Sequence, residues 1–157
     1  MCSINTSPQK GMANMLIGAY RHTMDAKGRV VLPASFRELL APSFVITKGL
    51  DRCLSLYSEE AWQNLTEQLN CLPVTRPEAR ALLRFVLASA QRLEMDRQGR
   101  FLVPSGLRAY ASLNREIVIN GALRCVEVWE RSRWDDYEKR IEPMVVEAAE
   151  TLTGFWT

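Results

Sequence analysis

The sequence predicts a β-rich mixed α/β fold: two tandem copies of one small unit, with helices between and after them. Three observations predict it. Met24-Asp25-Ala26-Lys27-Gly28-Arg29-Val30-Val31-Leu32-Pro33 returns as Met95-Asp96-Arg97-Gln98-Gly99-Arg100-Phe101-Leu102-Val103-Pro104, an offset of 71 from Asp25 to Asp96. Repetition on that scale marks two copies of one supersecondary unit. Each copy continues into a pair of short apolar runs about a glycine, residues 44–47 and 53–57 about Gly49, and 116–120 and 124–129 about Gly121, now at an offset of 72. Helical patterning then follows both copies. A β unit this small buries too little surface to be stable alone, so the two copies are expected to share one core.

The elements follow in order. Residues 16–24 read as a strand running into the turn Asp25-Ala26-Lys27-Gly28, where Asp bonds the downstream backbone and Gly supplies positive φ. Residues 29–32 form a second short strand, and Pro33 ends it and opens a short helix over 34–40. Residues 44–47 and 53–57 form a hairpin about Gly49. Ser58 caps a helix whose apolar positions are Trp62, Leu65, Leu69 and Leu72, closed by Pro73. Thr75-Arg76-Pro77-Glu78 reads as a capping box opening a second helix with Leu82, Leu83, Val86 and Ala90. The second copy repeats the series: a strand at 91–95, a turn at 96–99, a strand at 100–103, a short helix at 105–112 and strands at 116–120 and 124–129. Gly106 weakens that short helix relative to Ser35 in the first copy. The last helix carries Trp134, Tyr137, Ile141 and Met144 on one face, and Pro143 is expected to kink or break it. Trp62 and Trp134 read as packing anchors.

The net charge is +2, but it is unevenly placed. Residues 20–37 carry +3 and residues 91–108 carry +2, leaving −3 for the rest. Positive charge gathers in the repeated motif, as expected of a surface that meets a polyanion. The four cysteines, Cys2, Cys53, Cys71 and Cys125, form no C-x-x-C pair, and His22 is the single histidine. A metal site is not expected. Cys53 and Cys125 hold matching strand positions and read as small buried apolar residues, which fits a reducing, cytoplasmic setting. No apolar run is long enough to span a bilayer. Residues 1–14 lack a signal-peptide core and read as a disordered extension, with Met12 and Met15 leaving a later start open. One histidine, no clustered metal ligands, no phosphate-cradling glycine loop and no nucleophile elbow argue against an enzyme, a cofactor or a small-molecule substrate.

The repeated Asp-x-x-Gly-Arg-x-x-x-Pro unit resembles the AbrB-like swapped-hairpin DNA-binding fold. Two tandem copies with matching Pro, hairpin glycine and following Trp, over about residues 15–140, resemble the MraZ family. The resemblance implies two swapped-hairpin β-barrel repeats paired about a pseudo-twofold, at 19–62 and 90–133, with a helical linker at 63–89 and a C-terminal helical segment at 134–157. It implies a bacterial transcriptional regulator, expected here as a repressor, at the promoter of the cell-division and cell-wall gene cluster that includes its own gene. It also implies a ring homo-oligomer, an octamer or larger, on short direct repeats of double-stranded DNA in the nucleoid. By position, Lys27, Arg29 and Arg37 match the DNA-contacting region in copy one, and Arg97, Arg100 and Arg108 match it in copy two; Arg21, His22 and Arg92 flank it. Asp25, Gly28, Asp96 and Gly99 shape the turns, and each Asp is expected to cap its turn or pair with its own arginine. The basic turn residue sits one place differently in the two copies, at Lys27 and at Arg97, so they need not contact DNA equally. The competing reading is an antitoxin-like or scaffold protein acting through its helices, because one fold serves both roles.

Overall fold

A computed structural model describes residues 15–152; the extension expected over 1–14 lies outside them. The order is β1 (Ala19–Thr23), β2 (Arg29–Val31), α1 (Ala34–Leu40), β3 (Ser43–Lys48), β4 (Leu54–Ser58), α2 (Glu59–Asn70) and α3 (Pro77–Ser89), followed by β5 (Gln91–Glu94), β6 (Arg100–Leu102), α4 (Ser105–Tyr110), β7 (Glu116–Gly121), β8 (Val126–Glu130), α5 (Arg131–Ile141), a 3₁₀ turn (Glu142–Met144) and α6 (Val145–Thr151). Pro143 breaks the C-terminal helix through that 3₁₀ turn, because it has no N–H to donate and its ring crowds the preceding turn.

The strands pair across the repeats. A six-stranded antiparallel sheet runs β1-β7-β8-β4-β3-β5, and β2 pairs with β6 in a separate ribbon. β1 of the first copy therefore lies on β7 of the second, and β5 of the second lies on β3 of the first. Exchanging copies one and two leaves the strand order unchanged, which is the signature of a pseudo-twofold. The strands do not form one closed ladder: the expected barrel is a six-stranded sheet facing a two-stranded ribbon across a common core. Val30 and Phe101 of the ribbon, Phe36 of α1 and Ile46, Leu56, Ile117 and Ile119 of the sheet fill that core. Neither copy could bury these side chains without the other.

Two local expectations need correction. The helix α3 starts at Pro77, with Arg76 extended (φ −85°, ψ 131°) and no side-chain cap. A residue before proline is pushed out of the helical region, so Arg76 cannot be the first helical residue and the Thr75–Glu78 box does not close. Ser58, in contrast, caps α2 as expected, accepting from the Ala61 amide at 3.1 Å. The second correction is register. Matching glycines aligned Gly49 with Gly121, but Phe44 and Ile46 face the core as Ile117 and Ile119 do, an offset of 73. A slip of one residue would turn Glu116 into the core. Lys48 is therefore the counterpart of Gly121, and the second hairpin loop is one residue shorter than the first.

Candidate nucleic-acid interface

The two turns are near-copies at atomic detail. Gly28 N donates to Asp25 O and Gly99 N to Asp96 O, both at 3.0 Å. Asp25 Oδ1 accepts from the amides of Lys27 and Arg29, each at 2.9 Å. Asp96 Oδ1 accepts from Gln98 at 2.8 Å and Arg100 at 3.0 Å. The second carboxylate oxygen takes the arginine side chain: Arg29 Nε to Asp25 Oδ2 at 2.6 Å, and Arg100 Nε to Asp96 Oδ2 at 2.8 Å. Each aspartate thus does both things expected of it. The arginine's backbone amide, and then its side chain, hold each carboxyl below the usual aspartate value.

This bonding spends Nε and leaves the far edge of each guanidinium for something else. Among the described residues no hydrogen bond engages the Nη groups of Arg29 or Arg100. Both side chains are 43% exposed. The ribbon register sets Arg29 opposite Leu102 and Arg100 opposite Val31, while Val30 and Phe101 turn inward. Both arginines therefore stand on the outer face of one ribbon, with exposed Lys27 and Arg97 in the turns beside them.

Arg37 and Arg108 do not lie on a solvated helix face. Each crosses the pseudo-twofold and lies against the glycine of the other copy's turn. A Cβ on Gly99 (φ +77°) would overlap Arg37 Nε, and one on Gly28 (φ +88°) would stand 2.5 Å from Arg108 Nη1. The turn glycines thus serve two needs at once, positive φ and close approach of an arginine. Arg37 Nε donates to Leu32 O at 2.8 Å. Arg108 Nε is buried with no partner among the described residues. Both arginines are half-buried. The signal in the sequence was the arginine four residues after each motif proline, but nothing local told which turn it meets.

Arg21 and Arg92 leave the ribbon altogether. They sit on β1 and β5, the two edges of the large sheet, and tie them to helices: Arg21 Nη2 to Asp135 Oδ1 at 3.3 Å, and Arg92 Nε and Nη2 to Glu59 at 2.8 and 3.1 Å. His22, half-buried, follows Arg21 on β1 and points to the opposite side of that strand. The structure therefore places Arg29 and Arg100 on one ribbon with Lys27 and Arg97 in the turns beside it, sets Arg37 and Arg108 against the turn glycines, and places Arg21, His22 and Arg92 at the sheet edges. Sequence reasoning missed Val31 and Leu102, which share the outer ribbon face; the two-residue period about buried Val30 and Phe101 was the available signal.

Among the described residues no group of His, Cys, Asp or Glu side chains could hold a metal ion, and no helix is long and apolar enough to cross a membrane. Trp134 packs on Trp129 and Trp62 on Tyr57, in the anchoring roles expected of them.

The family profile described as "MraZ protein, putative antitoxin-like" matches twice in succession, over residues 15–85 and 86–155. Proteins named "Transcriptional regulator MraZ" are similar over nearly their whole length. That of Caldanaerobacter subterraneus subsp. tengcongensis is 47% identical over 141 residues, 90% of this chain and 99% of the relative. That of Heliobacterium modesticaldum is 48% identical over 141 residues, again 90% and 99%. That of Moorella thermoacetica is 46% identical over 141 residues, also 90% and 99%. With two tandem matches that cover most of its length, and an exchanged-strand fold whose halves repeat one basic turn, the chain belongs to the MraZ family.

Proposed function

We propose that this chain is a sequence-specific DNA-binding transcriptional regulator, acting as a repressor on short direct repeats upstream of its own gene in the cell-division and cell-wall cluster. One observation carries the reading: two aspartate-buttressed arginines share the exposed face of a ribbon made by both repeats. The major groove admits a two-stranded ribbon. An arginine whose Nε is already held presents its two Nη groups as a fixed fork, suited to the paired acceptors of a guanine edge. Lys27 and Arg97 supply phosphate contacts, which set position and salt dependence. Arg37 and Arg108, packed against the turn glycines, add DNA contacts behind the turns, and Arg21, His22 and Arg92 add a weaker outer contribution at the sheet edges. The repeats at 19–62 and 90–133 face DNA, while the linker at 63–89 and the C-terminal segment from residue 134 make the contacts of a ring homo-oligomer in the nucleoid-bearing cytoplasm. Several chains on repeats spaced by about one helical turn would gain roughly 10²–10⁴ in avidity. The relatives' name, transcriptional regulator, supports the class.

The test is a binding titration on the DNA upstream of the gene at several salt concentrations, with wild type and R29A/R100A. The wild type weakens steeply with salt, with a log–log slope near −0.9 per phosphate neutralised. The double variant loses promoter preference and keeps its oligomeric state. A flat salt response, or an R29A/R100A protein that binds the promoter as well as wild type, favours the antitoxin-like or scaffold reading instead.

A further inference from the structure

We infer that Val31 and Leu102 are specificity-determining residues that read the C5-methyl groups of thymines flanking the bases met by Arg29 and Arg100. This rests on the DNA-binding reading above and adds to it the kind of base that the ribbon selects.

The argument starts from exposure. The ribbon strands contribute one buried residue each to the core, Val30 and Phe101, at 0% and 4% exposure. Their neighbours need not be apolar for the fold. Val31 is nonetheless 36% exposed and Leu102 55% exposed. A lone exposed apolar residue needs no explanation, and a β-branched Val suits a strand anyway. Leu has no such strand preference, and these two residues hold matching positions in the two repeats, on the same face of the same ribbon.

Their surroundings remove the usual alternative, a long basic side chain laid over an apolar neighbour. Leu102 is directly opposite Arg29, and Val31 is directly opposite Arg100. The bonds from Arg29 Nε to Asp25 and from Arg100 Nε to Asp96 draw each guanidinium back to its own turn. Leu102 stays more than half exposed and Val31 about a third exposed. Directly opposed side chains in a ladder stand about 5 Å apart, on the order of the spacing between neighbouring base pairs. The outer face thus offers, twice over, a cationic fork beside an apolar contact. In the major groove the thymine methyl is the apolar group on the base edges, and it takes contact from apolar side chains. No bond forms or breaks; the contact acts by removing a methyl group from water.

The test uses full-length protein and two forms of the same promoter fragment, made with thymidine or with deoxyuridine. The second lacks only the C5-methyls and keeps every base-pairing edge and phosphate. Wild type is expected to bind the uracil form about fourfold more weakly for each methyl group that the ribbon would otherwise cover. L102A is expected to keep part of the discrimination through Val31 and V31A/L102A to bind the two forms equally, both binding the thymine form more weakly; circular dichroism and urea unfolding check that they fold. Equal wild-type affinity for the two forms overturns the proposal. A thymine preference that persists in V31A/L102A also overturns it, since the preference would then come from DNA shape. Wild type that discriminates neither form from unrelated DNA refutes the DNA-binding reading itself, which is a separate result.

Discussion

Replacing Gly99 with alanine is the sharpest probe of the cross-repeat support. The backbone there has φ +77°, and a side chain in the left-handed region costs roughly 1–2 kcal/mol. The added Cβ also displaces Arg37 Nε, Cδ and Cζ, and Arg37 then loses its 2.8 Å bond to Leu32 O. A hydrogen bond from a charged donor is worth about 1.5–3 kcal/mol. The total is about 3–5 kcal/mol, a midpoint shift on the order of 1–3 M in urea. Gly28→Ala meets similar strain at φ +88° and crowds Arg108 in the same way, but Arg108 Nε has no hydrogen bond to lose. Gly99→Ala should therefore cost about 1–3 kcal/mol more than Gly28→Ala. Urea unfolding of both variants, and of Gly99→Ala in an Arg37→Ala background, checks this. Removing Arg37 first should leave only the backbone strain, so the pair couples strongly. Equal costs for the two glycines, or a Gly99→Ala cost unchanged by the loss of Arg37, would refute the reasoning.

Four further outcomes follow from the geometry. D25N/D96N, which sets an amide NH₂ or a weaker acceptor against the arginine Nε, should lower promoter preference yet raise affinity for random DNA, because two negative charges leave the interface; competition titrations separate the two effects. Both carboxyls have depressed pKa values, so their turn bonds are intact above the ordinary aspartate value of about 3.9 and are lost as pH falls through the lower folded value. Amide NMR of Lys27, Arg29, Gln98 and Arg100 should report midpoints below 3.8, and midpoints at or above it would count against the turn geometry. Gly106→Ala should stabilise by roughly 0.5–1 kcal/mol, since a helical Cβ there meets nothing within 4 Å, and thermal unfolding measures it. Burial first, and Glu127 second, push the thiols of Cys53 and Cys125 up to about 12 and about 11. Neither should alkylate in native protein at pH 8, and both should in urea, as peptide mass spectrometry would reveal.

Turn chemistry was the most legible part of the sequence. Asp-x-x-Gly-Arg specifies its own bonding, because every donor and acceptor lies within four residues, and both turns form as expected. The proline-opened helices α1 and α4 and the Ser58 cap are local for the same reason. The capping box at Thr75 misled because two local rules competed and the steric one at Pro77 overrode the hydrogen-bonding one. The hairpin register is not legible from the two glycines, because core-facing side chains set it; Phe44 and Ile117 fix the alignment only once the core is known. The partners of Arg21, Arg92, Arg37 and Arg108 are illegible in one dimension. Asp135 and Glu59 lie 114 and 33 residues away from their arginines, and the glycine under each supporting arginine belongs to the other repeat. A repeat reveals that two units are alike, and the exchange of strands between them came only with the family resemblance.

Fusing both repeats into one chain frees the halves to differ, and they do. Thr47 of β3 bonds Val86 O at 2.6 Å and Ser89 Oγ at 2.9 Å, fastening α3 to the sheet. Its register counterpart Asn120 bonds Glu127 instead and keeps a buried Oδ1 without a partner among the described residues. Arg37 is bonded where Arg108 is not, and the exposed turn cation is Lys27 in one copy and Arg97 in the other. A dimer of identical chains carries a true twofold and is matched to a palindromic site. A pseudo-twofold with unequal halves carries no such obligation, and under the proposed DNA-binding reading its two ends would present different charge placement to the duplex. On that reading, such a unit would distinguish one direction along the duplex from the other. Direct repeats, each read in the same sense by successive copies, are the site geometry that the proposed reading predicts for such a unit, and inverting one repeat should weaken binding in a gel shift.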